Sequence, residues 1–296
     1  MKVDGVFSFD PIALSYLLTA TGPVKLSTGE LLSSDNAVQT LLSTAYTDFN
    51  SAKVKNDYFA TAARAVLTAL TSAAPDTNKM IAALTRSVKE DRLMVWSDHP
   101  EEQAVLSKTQ LGGILDTSNT KATQMGVFFN ENSASKMSYY LKTTAALTSS
   151  ACQTPDKPTF SAAVSLKSDL SLAAEKALPA YVRSQVYLKP IKTRTQVYIY
   201  GPPGSTYATY TGGGGALAMS LVGTSTDLGR PVAQIAVDLL ASQMASFTVT
   251  VTVTVTVTVT FTGKASTYGP LAARVTPMVN PTAVTLASPG CGPASK

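Results

Sequence analysis

From Thr248 to Thr260 threonine and valine alternate without a break, framed by Phe247 and Phe261, and no other feature limits the fold so tightly. Period two places Val249, Val251, Val253, Val255, Val257 and Val259 on one face and the threonines on the other. A helix cannot sort such a pattern; a strand can. At about 3.3 Å per residue the run would span roughly 43 Å, well beyond a typical strand of about 5–6 residues. A bend, a bulge, a change of sheet or an overhanging end is therefore expected inside it. A two-residue slip preserves both faces, so register must be pinned by Phe247, Phe261 and the turn at Gly263. As a free peptide the run would be an aggregation hazard, with high β-propensity and neither charge nor proline. Inside a sandwich its valine face becomes core.

The surroundings agree with a strand. After Cys152, prolines at 155, 158, 179, 190, 202 and 203 punctuate short β-rich segments. These are "FSAAVSL", "TQVYIYG", "STYATYT", "ALAMSLV", "PVAQIAVDLL", the Val/Thr run and "LAARVTP". Turn signals at that spacing predict an immunoglobulin-like β-sandwich over residues 158–296. Residues 1–150 read instead as a mixed α/β domain. "GVFSF" is a strand, Asp10-Pro11 an N-cap and first-turn proline, "IALSYLLTA" a helix, and Gly22-Pro23 its end. Asn36 and Gln39 have capping-box spacing ahead of an apolar stripe at Val38, Leu41, Leu42, Ala45, Tyr46 and Phe49. Tyr58, Phe59, Ala62, Val66, Leu67 and Leu70 repeat the stripe, and Met80, Ile81, Leu84 and Val88 shorten it. "RLMVW", "QMGVFFN" and "KMSYYLKTTAALT" look like strands, with "ENSAS" as a hairpin loop between the last two. The fold class is α+β, an α/β domain followed by a β-sandwich.

With 296 residues, 45% of them hydrophobic and 15% charged, the chain can build real cores. It has no run of 18 or more apolar residues, so it offers no membrane-spanning helix. Met1 leads straight into "GVFSFDP" with no apolar h-region. Either the protein is cytoplasmic or the chain lacks the segment that would export it. Charge is uneven. Residues 1–150 hold 13 Lys/Arg against 14 Asp/Glu, and residues 151–296 hold 11 against 5. The densest basic stretch sets Arg183, Lys189, Lys192 and Arg194 among Tyr181, Tyr187, Tyr198 and Tyr200. Such a patch could attract an anionic polymer, while its plainer reading, the one short charge runs favour, is a solvated face of strands and a loop.

Few residues carry a chemical signature. The only cysteines are Cys152 and Cys291, His99 is the sole histidine, and no C-x-x-C occurs, so no metal spacing exists. The two cysteines suit a bridge if the protein is exported and two thiols if it is not. "WSDHPEE" sets Ser97, Asp98 and His99 side by side, but triad members meet in space rather than in sequence. Helix capping by Asp98, with Glu101 at N3, explains the same residues. "GPPG" and the glycines 212–215 lack the Lys-Ser/Thr of a phosphate loop and read as turns. Asp4, Asp10, Asp48 and Asp57 would bind a divalent cation only if they converged.

The phrases "VDGVFSFDPIALSYLLTATGPV", "LMVWSDHPEEQ", "SKMSYYL", "LPAYV", "VYIYGPPGS", "GRPVAQIAV" and "RVTPMVNPT" resemble, in order, the bacterial domain family of unknown function number four thousand and twelve. Its members look like membrane-anchored, outward-facing envelope proteins of Gram-positive bacteria, often encoded beside genes for surface-polysaccharide assembly. The resemblance implies export to the extracellular face and a cell-wall or capsular glycopolymer as partner, together with envelope proteins and without nucleic acid. It implies no known reaction, so no catalytic residue is carried over. Members usually have an N-terminal membrane anchor and a further stretch before the "DGV…DP" motif. The chain therefore looks like a C-terminal portion, with membrane attachment only through an anchor absent here.

A second likeness is to the latter half of the LytR-CpsA-Psr ligases. It rests on "DP…ALSYLL", "GPV" and the "KNDYFATAARAVLTAL" helix, where Lys53, Lys55, Asp57 and Arg64 stand in place of the family's arginine cluster. Only under that likeness would a divalent cation be expected, with phosphotransfer to a glycopolymer as the activity. Three readings result: an accessory glycan-binding protein contacting polymer through Arg183, Tyr187, Lys189, Lys192 and Arg194; a glycopolymer phosphotransferase; and a structural adhesin module.

Overall fold

The computed structural model describes residues 2–49, 51–72, 75–155, 157–183, 192–214, 218–240, 255–262 and 268–290. The chain divides into two compact units, Met1–Ile114 and Leu115–Lys296.

The first unit opens with β1 (Gly5–Phe9) and α1 (Pro11–Thr21). Asp10 starts the helix as its sequence predicts: the backbone is extended and the carboxylate accepts the Ala13 N–H at 2.7 Å. Pro11 follows in the first turn, where its missing N–H has no partner to lose. A small hairpin, β2 (Val24–Lys25) with β3 (Leu31–Leu32), leads to α2 (Ala37–Gln39), a π-helical turn (Thr40–Thr44) and α3 (Ala45–Asp48). The expected capping box at Asn36 does not form. Its side chain turns back onto the hairpin, accepting from the Ser33 N–H and donating to the Leu31 carbonyl, both at 2.8 Å. Next come α4 (Ala52–Ser72), α5 (Thr77–Lys89), β4 (Leu93–Ser97) and α6 (Pro100–Leu106).

Tyr58, Ala62 and Val66, four residues apart, are the buried stripe of α4 and close a core with Leu18, Leu32 and Leu41. β1 and β4 pair antiparallel as a separate two-stranded sheet. The N-cap of α6 is His99, not Asp98, and it makes no side-chain cap bond. Ser97 does the local bonding instead. Its hydroxyl donates to Glu102 at 2.7 Å and accepts the His99 N–H at 3.1 Å, while its own N–H donates to Gln103 at 2.9 Å.

The second unit contains β5 (Thr123–Glu131), β6 (Leu141–Ser149), β7 (Thr159–Ser168), α7 (Leu172–Ala177) and β8 (Thr193–Tyr200). It continues with β9 (Thr206–Gly214), β10 (Ala218–Asp227), β11 (Arg230–Leu239), β12 (Val255–Thr262), β13 (Leu271–Val275) and β14 (Ala283–Ala287). Two five-stranded sheets result, in the orders β10-β11-β8-β5-β13 and β14-β6-β7-β12-β9. Alternate residues of both line one core, among them Val127, Val197, Ile199 and Ile235 from the first sheet and Leu147, Phe160, Val164 and Val259 from the second. Removing a side chain such as Phe160 from water contributes about 1.5–3 kcal/mol. The protein is thus α+β, with both helices and several sheets.

The domain boundary differs from the one read at residues 150–158. β5 and β6 precede that point, yet they pair with β8 and β13 and with β7 and β14. Sheet pairing, not the change in composition at Cys152, sets the division between Ile114 and Leu115. "ENSAS" is likewise no hairpin loop, because β5 and β6 lie in different sheets. The Glu131 carboxylate gathers the Ser133 N–H at 2.8 Å and the Ser135 N–H at 3.1 Å, and a 3₁₀ turn at Met137–Tyr140 follows before β6 begins.

The Val/Thr run enters the second sheet as an interior strand. β12 pairs antiparallel with β7 and with β9, and Val255, Val257 and Val259 stand in register with Leu166, Val164 and Ala162. Val259 is fully buried. Against β9 the register shifts between Thr260 and Phe261, an irregularity of the kind its length predicts. Residues 247–254 and the turn at Gly263 lie outside the described residues. Among the described residues no helix is long and apolar enough to cross a membrane.

Candidate functional site

The basic, tyrosine-rich stretch ends in β8, where alternation divides its side chains. Val197 and Ile199 point into the core, which puts Arg194, Gln196, Tyr198 and Tyr200 on the outer face of the sheet. Register brings β11 alongside, with Gln234 opposite Tyr198 and Asp238 opposite Arg194. On the other flank β5 sets Phe128 opposite Tyr198 and Asn130 opposite Gln196. The outer face therefore gathers three aromatic rings, three amides and an ion pair from sequence positions far apart.

These groups are connected. Gln234 donates to the Gln196 carbonyl oxygen at 3.2 Å and to the Tyr198 hydroxyl at 3.3 Å. Tyr200 donates to Asp227 at 3.2 Å and meets Phe128 edge to face, ring centres 5.4 Å apart. Tyr198, Tyr200, Phe128 and Gln234 are half-buried, and Asn130 is exposed. Burial, with Asp227 beside it, raises the Tyr200 hydroxyl above the ordinary tyrosine value, so it stays a donor at neutral pH.

Two of the five residues expected to contact an anion share one carboxylate, which cancels one of their two charges. Arg194 grips Asp238 with a two-pronged pair of bonds, Nε at 2.7 Å and Nη2 at 2.8 Å, and Lys192 reaches the same carboxylate at 2.7 Å. Asp238 is almost fully buried. Burial alone would raise its carboxyl, but bonds from Arg194 and Lys192 outweigh it and hold the group below the usual carboxylate range. One aspartate thus serves two cations. Arg183 is half-buried, and its charge acts on the buried Glu175 of α7. Tyr187 and Lys189 lie outside the described residues.

The helix residues of the ligase likeness do not converge. Lys55 is buried on the core face of α4 and donates to the Phe49 carbonyl at 3.1 Å. Asp57 pairs with Lys53 at 2.8 Å on the solvent side, and Arg64, seven residues on, is exposed on that same side. Asp10, the acid of the "DP" motif, is committed to capping and to Arg92 Nη1 at 2.5 Å. Among the described residues no group of three or more His, Cys, Asp or Glu side chains could hold a metal ion.

Cys152 is disulfide-bonded, and Cys291 lies outside the described residues. Gly290, at φ 80°, takes a backbone conformation that favours glycine, and an added Cβ there would meet the Gln153 side chain at 3.0 Å.

Sequence reading alone did not single out Asp238, Gln234, Phe128, Asn130 or Asp227. Asp238 left a signal, since an aspartate at the end of "PVAQIAVDLL" has poor β-propensity and needs a partner. The others depend on strand pairing and left none.

No curated protein and no solved structure matches the chain. The quoted phrases run over nearly the whole sequence, but a match to a family model covers β1 to the start of α3 and stops well before the tyrosine face. Residues 1–46 match the family described as protein of unknown function (DUF4012), and it is this family that the N-terminal part of the chain is similar to.

Proposed function

We propose that this chain is an exported cell-envelope protein with an accessory role in assembling or attaching surface polysaccharide, and that it acts by binding cell-wall or capsular glycan on the outer face of β8, β11 and β5. The carrying observation is the row of Tyr198, Tyr200 and Phe128 flanked by Gln234, Asn130 and Asp227. Aromatic faces cover the apolar side of a sugar ring, while amides and a carboxylate exchange hydrogen bonds with its hydroxyls. The bonded Cys152 supports export, because disulfides persist in oxidising compartments. We read the two facing sheets as an immunoglobulin-like β-sandwich, supported by their single shared core.

The ion pairing at Asp238 refines the mode of contact. With Lys192 and Arg194 both bound to Asp238, only one net positive charge is left among the three, so binding rests mainly on stacking and hydrogen bonds and little on long-range attraction. The test is binding of the full chain to purified wall or capsular glycopolymer at low and high salt, with Tyr198→Ala and Tyr200→Ala alongside. Binding that survives high salt and weakens about tenfold in either variant, roughly 1.4 kcal/mol, fits the proposal. No binding, or binding indifferent to both variants, sinks it.

A further inference from the structure

β1 is an edge strand with an open side. Asp98 donates its N–H to the Asp4 carbonyl at 2.9 Å, and Asp10 donates to the Arg92 carbonyl at 3.4 Å. In an antiparallel ladder bonded pairs alternate, so Asp4, Val6, Ser8 and Asp10 face β4. Gly5, Phe7 and Phe9 therefore aim their N–H and C=O groups away from it, and among the described residues nothing bonds to them. The strand carries neither charge nor proline, the usual protections of an exposed edge. Its side chains are equally uncovered. Phe7 is 71% exposed, and Val6, Phe9 and Trp96 are exposed on one or other face of the ribbon. A two-stranded ribbon with apolar residues on both faces is marginal in water. A third strand would satisfy the backbone and cover both faces.

Charge selects the occupant. Asp4 and Asp98 face one another at one end of the ribbon, with Glu101 and Glu102 just beyond Asp98, all four exposed, against Lys2 alone as a nearby cation in sequence. A second copy does not suit this edge. An antiparallel pairing that used Gly5, Phe7 and Phe9 of both chains would set Asp4 opposite Asp10 of the other copy, a carboxylate already held by Arg92, and so would bring Asp4 no cation. We propose that the free edge of β1 takes up an extended apolar segment of another polypeptide, running antiparallel, whose C-terminal flank carries lysine or arginine beside Asp4 and Asp98.

The full chain tests this with two labelled peptides of alternating threonine and valine, one ending in two lysines and one in two glutamates. The lysine peptide binds, and the glutamate peptide binds at least about tenfold more weakly. Phe7→Pro removes a donor that faces the open edge and spares the ladder to β4, so it abolishes uptake. Should that variant misfold, the double substitution Asp4→Lys with Asp98→Lys reverses the preference between peptides without touching the edge. Failure of the lysine peptide to bind, equal binding of both peptides, or binding unchanged in the charge-reversed protein overturns the proposal. So does a wild-type dimer in sedimentation that Phe7→Pro makes monomeric while neither peptide binds, because the occupant is then a second copy.

Discussion

Two buried arginines, Arg92 of the first unit and Arg230 of the second, are satisfied in opposite ways. In the first unit Arg92, its side chain 3% exposed, is held by carboxylates, Asp10 at 2.5 Å and Glu90 at 2.9 Å. Glu90 also accepts from Arg86 and from the Tyr16 hydroxyl, both at 2.8 Å, while Arg86 lies over the Tyr16 ring. In the second unit Arg230 is fully buried and bonds to backbone carbonyls alone: Gln124 at 2.7 Å, Gly201 at 3.0 Å, and Asp116. The tight β10–β11 turn delivers it, with Leu228 at φ 48° and Gly229 at φ 70°, both positive as a two-residue hairpin requires. Burial lowers the affinity of Arg230 for its proton, and the nearby Asp116 opposes that only in part. Arg92 is a charge pair and answers to pH. Arg230 is a clamp on three chain segments, and its acceptors do not titrate.

Replacing each arginine sharpens that contrast. Arg230→Met strands three backbone carbonyls, that of buried Gly201 among them, and should cost at least about 3 kcal/mol, seen as a lower urea midpoint, with a loss that changes little between pH 7 and pH 4. Equal losses at neutral pH for the two arginines would break the comparison. Arg92→Met should cost about 2 kcal/mol at neutral pH, because Asp10 and Glu90 are each about one-third exposed and can rehydrate. That loss should shrink in acid. Burial pushes the Glu90 carboxyl up, but bonds from Arg86, Tyr16 and Arg92 win and hold it below its ordinary value. A depressed carboxyl stabilises the fold above its unfolded value, about 4.3, and that share vanishes as pH falls through the folded value.

Asp238→Asn tests whether the second unit has an acid-sensitive pair of its own. It should cost about 1.5 kcal/mol, discounted because Arg194 is about one-third exposed, and the wild-type advantage should fade below about pH 4. The smallest effect has the opposite sign. Burial raises the Glu175 carboxyl, and Arg183 and Lys176 offset this only in part. A raised carboxyl favours the fold below its unfolded value and costs stability as pH rises through the folded one. Glu175→Gln should therefore stabilise at pH 7 by about 0.5 kcal/mol, with the gain gone near pH 4. Thermal unfolding at the two pH values checks it.

Local signals in the sequence carried far for elements and poorly for their partners. Asp10-Pro11, the stripe at Tyr58, Ala62 and Val66, and the alternation in "TQVYIYG" each encode a conformation within a few residues, and each appears where expected. Asn36 and Asp98 failed as caps because a competing bond nearby was better, the hairpin backbone for Asn36 and the Ser97–Glu102–Gln103 set near Asp98. The basic stretch was legible as positive and aromatic. That Asp238 would engage both Lys192 and Arg194, and that Gln234 and Phe128 would join the tyrosines, was not, since those partners lie on other strands.

Sequence periodicity was enough to mark the segments quoted after Cys152 as strands, the Val/Thr run among them, and to tell which face of that run is apolar. Period two and β-branching are local facts and need no partner. The start of the second unit, the parting of β5 and β6 into different sheets, and the place of β12 between β7 and β9 come from strand pairing across the whole fold. The physical reason is that a strand's backbone donors and acceptors accept any neighbour of matching length. Choice among neighbours rests on long-range core packing, which no window of sequence contains.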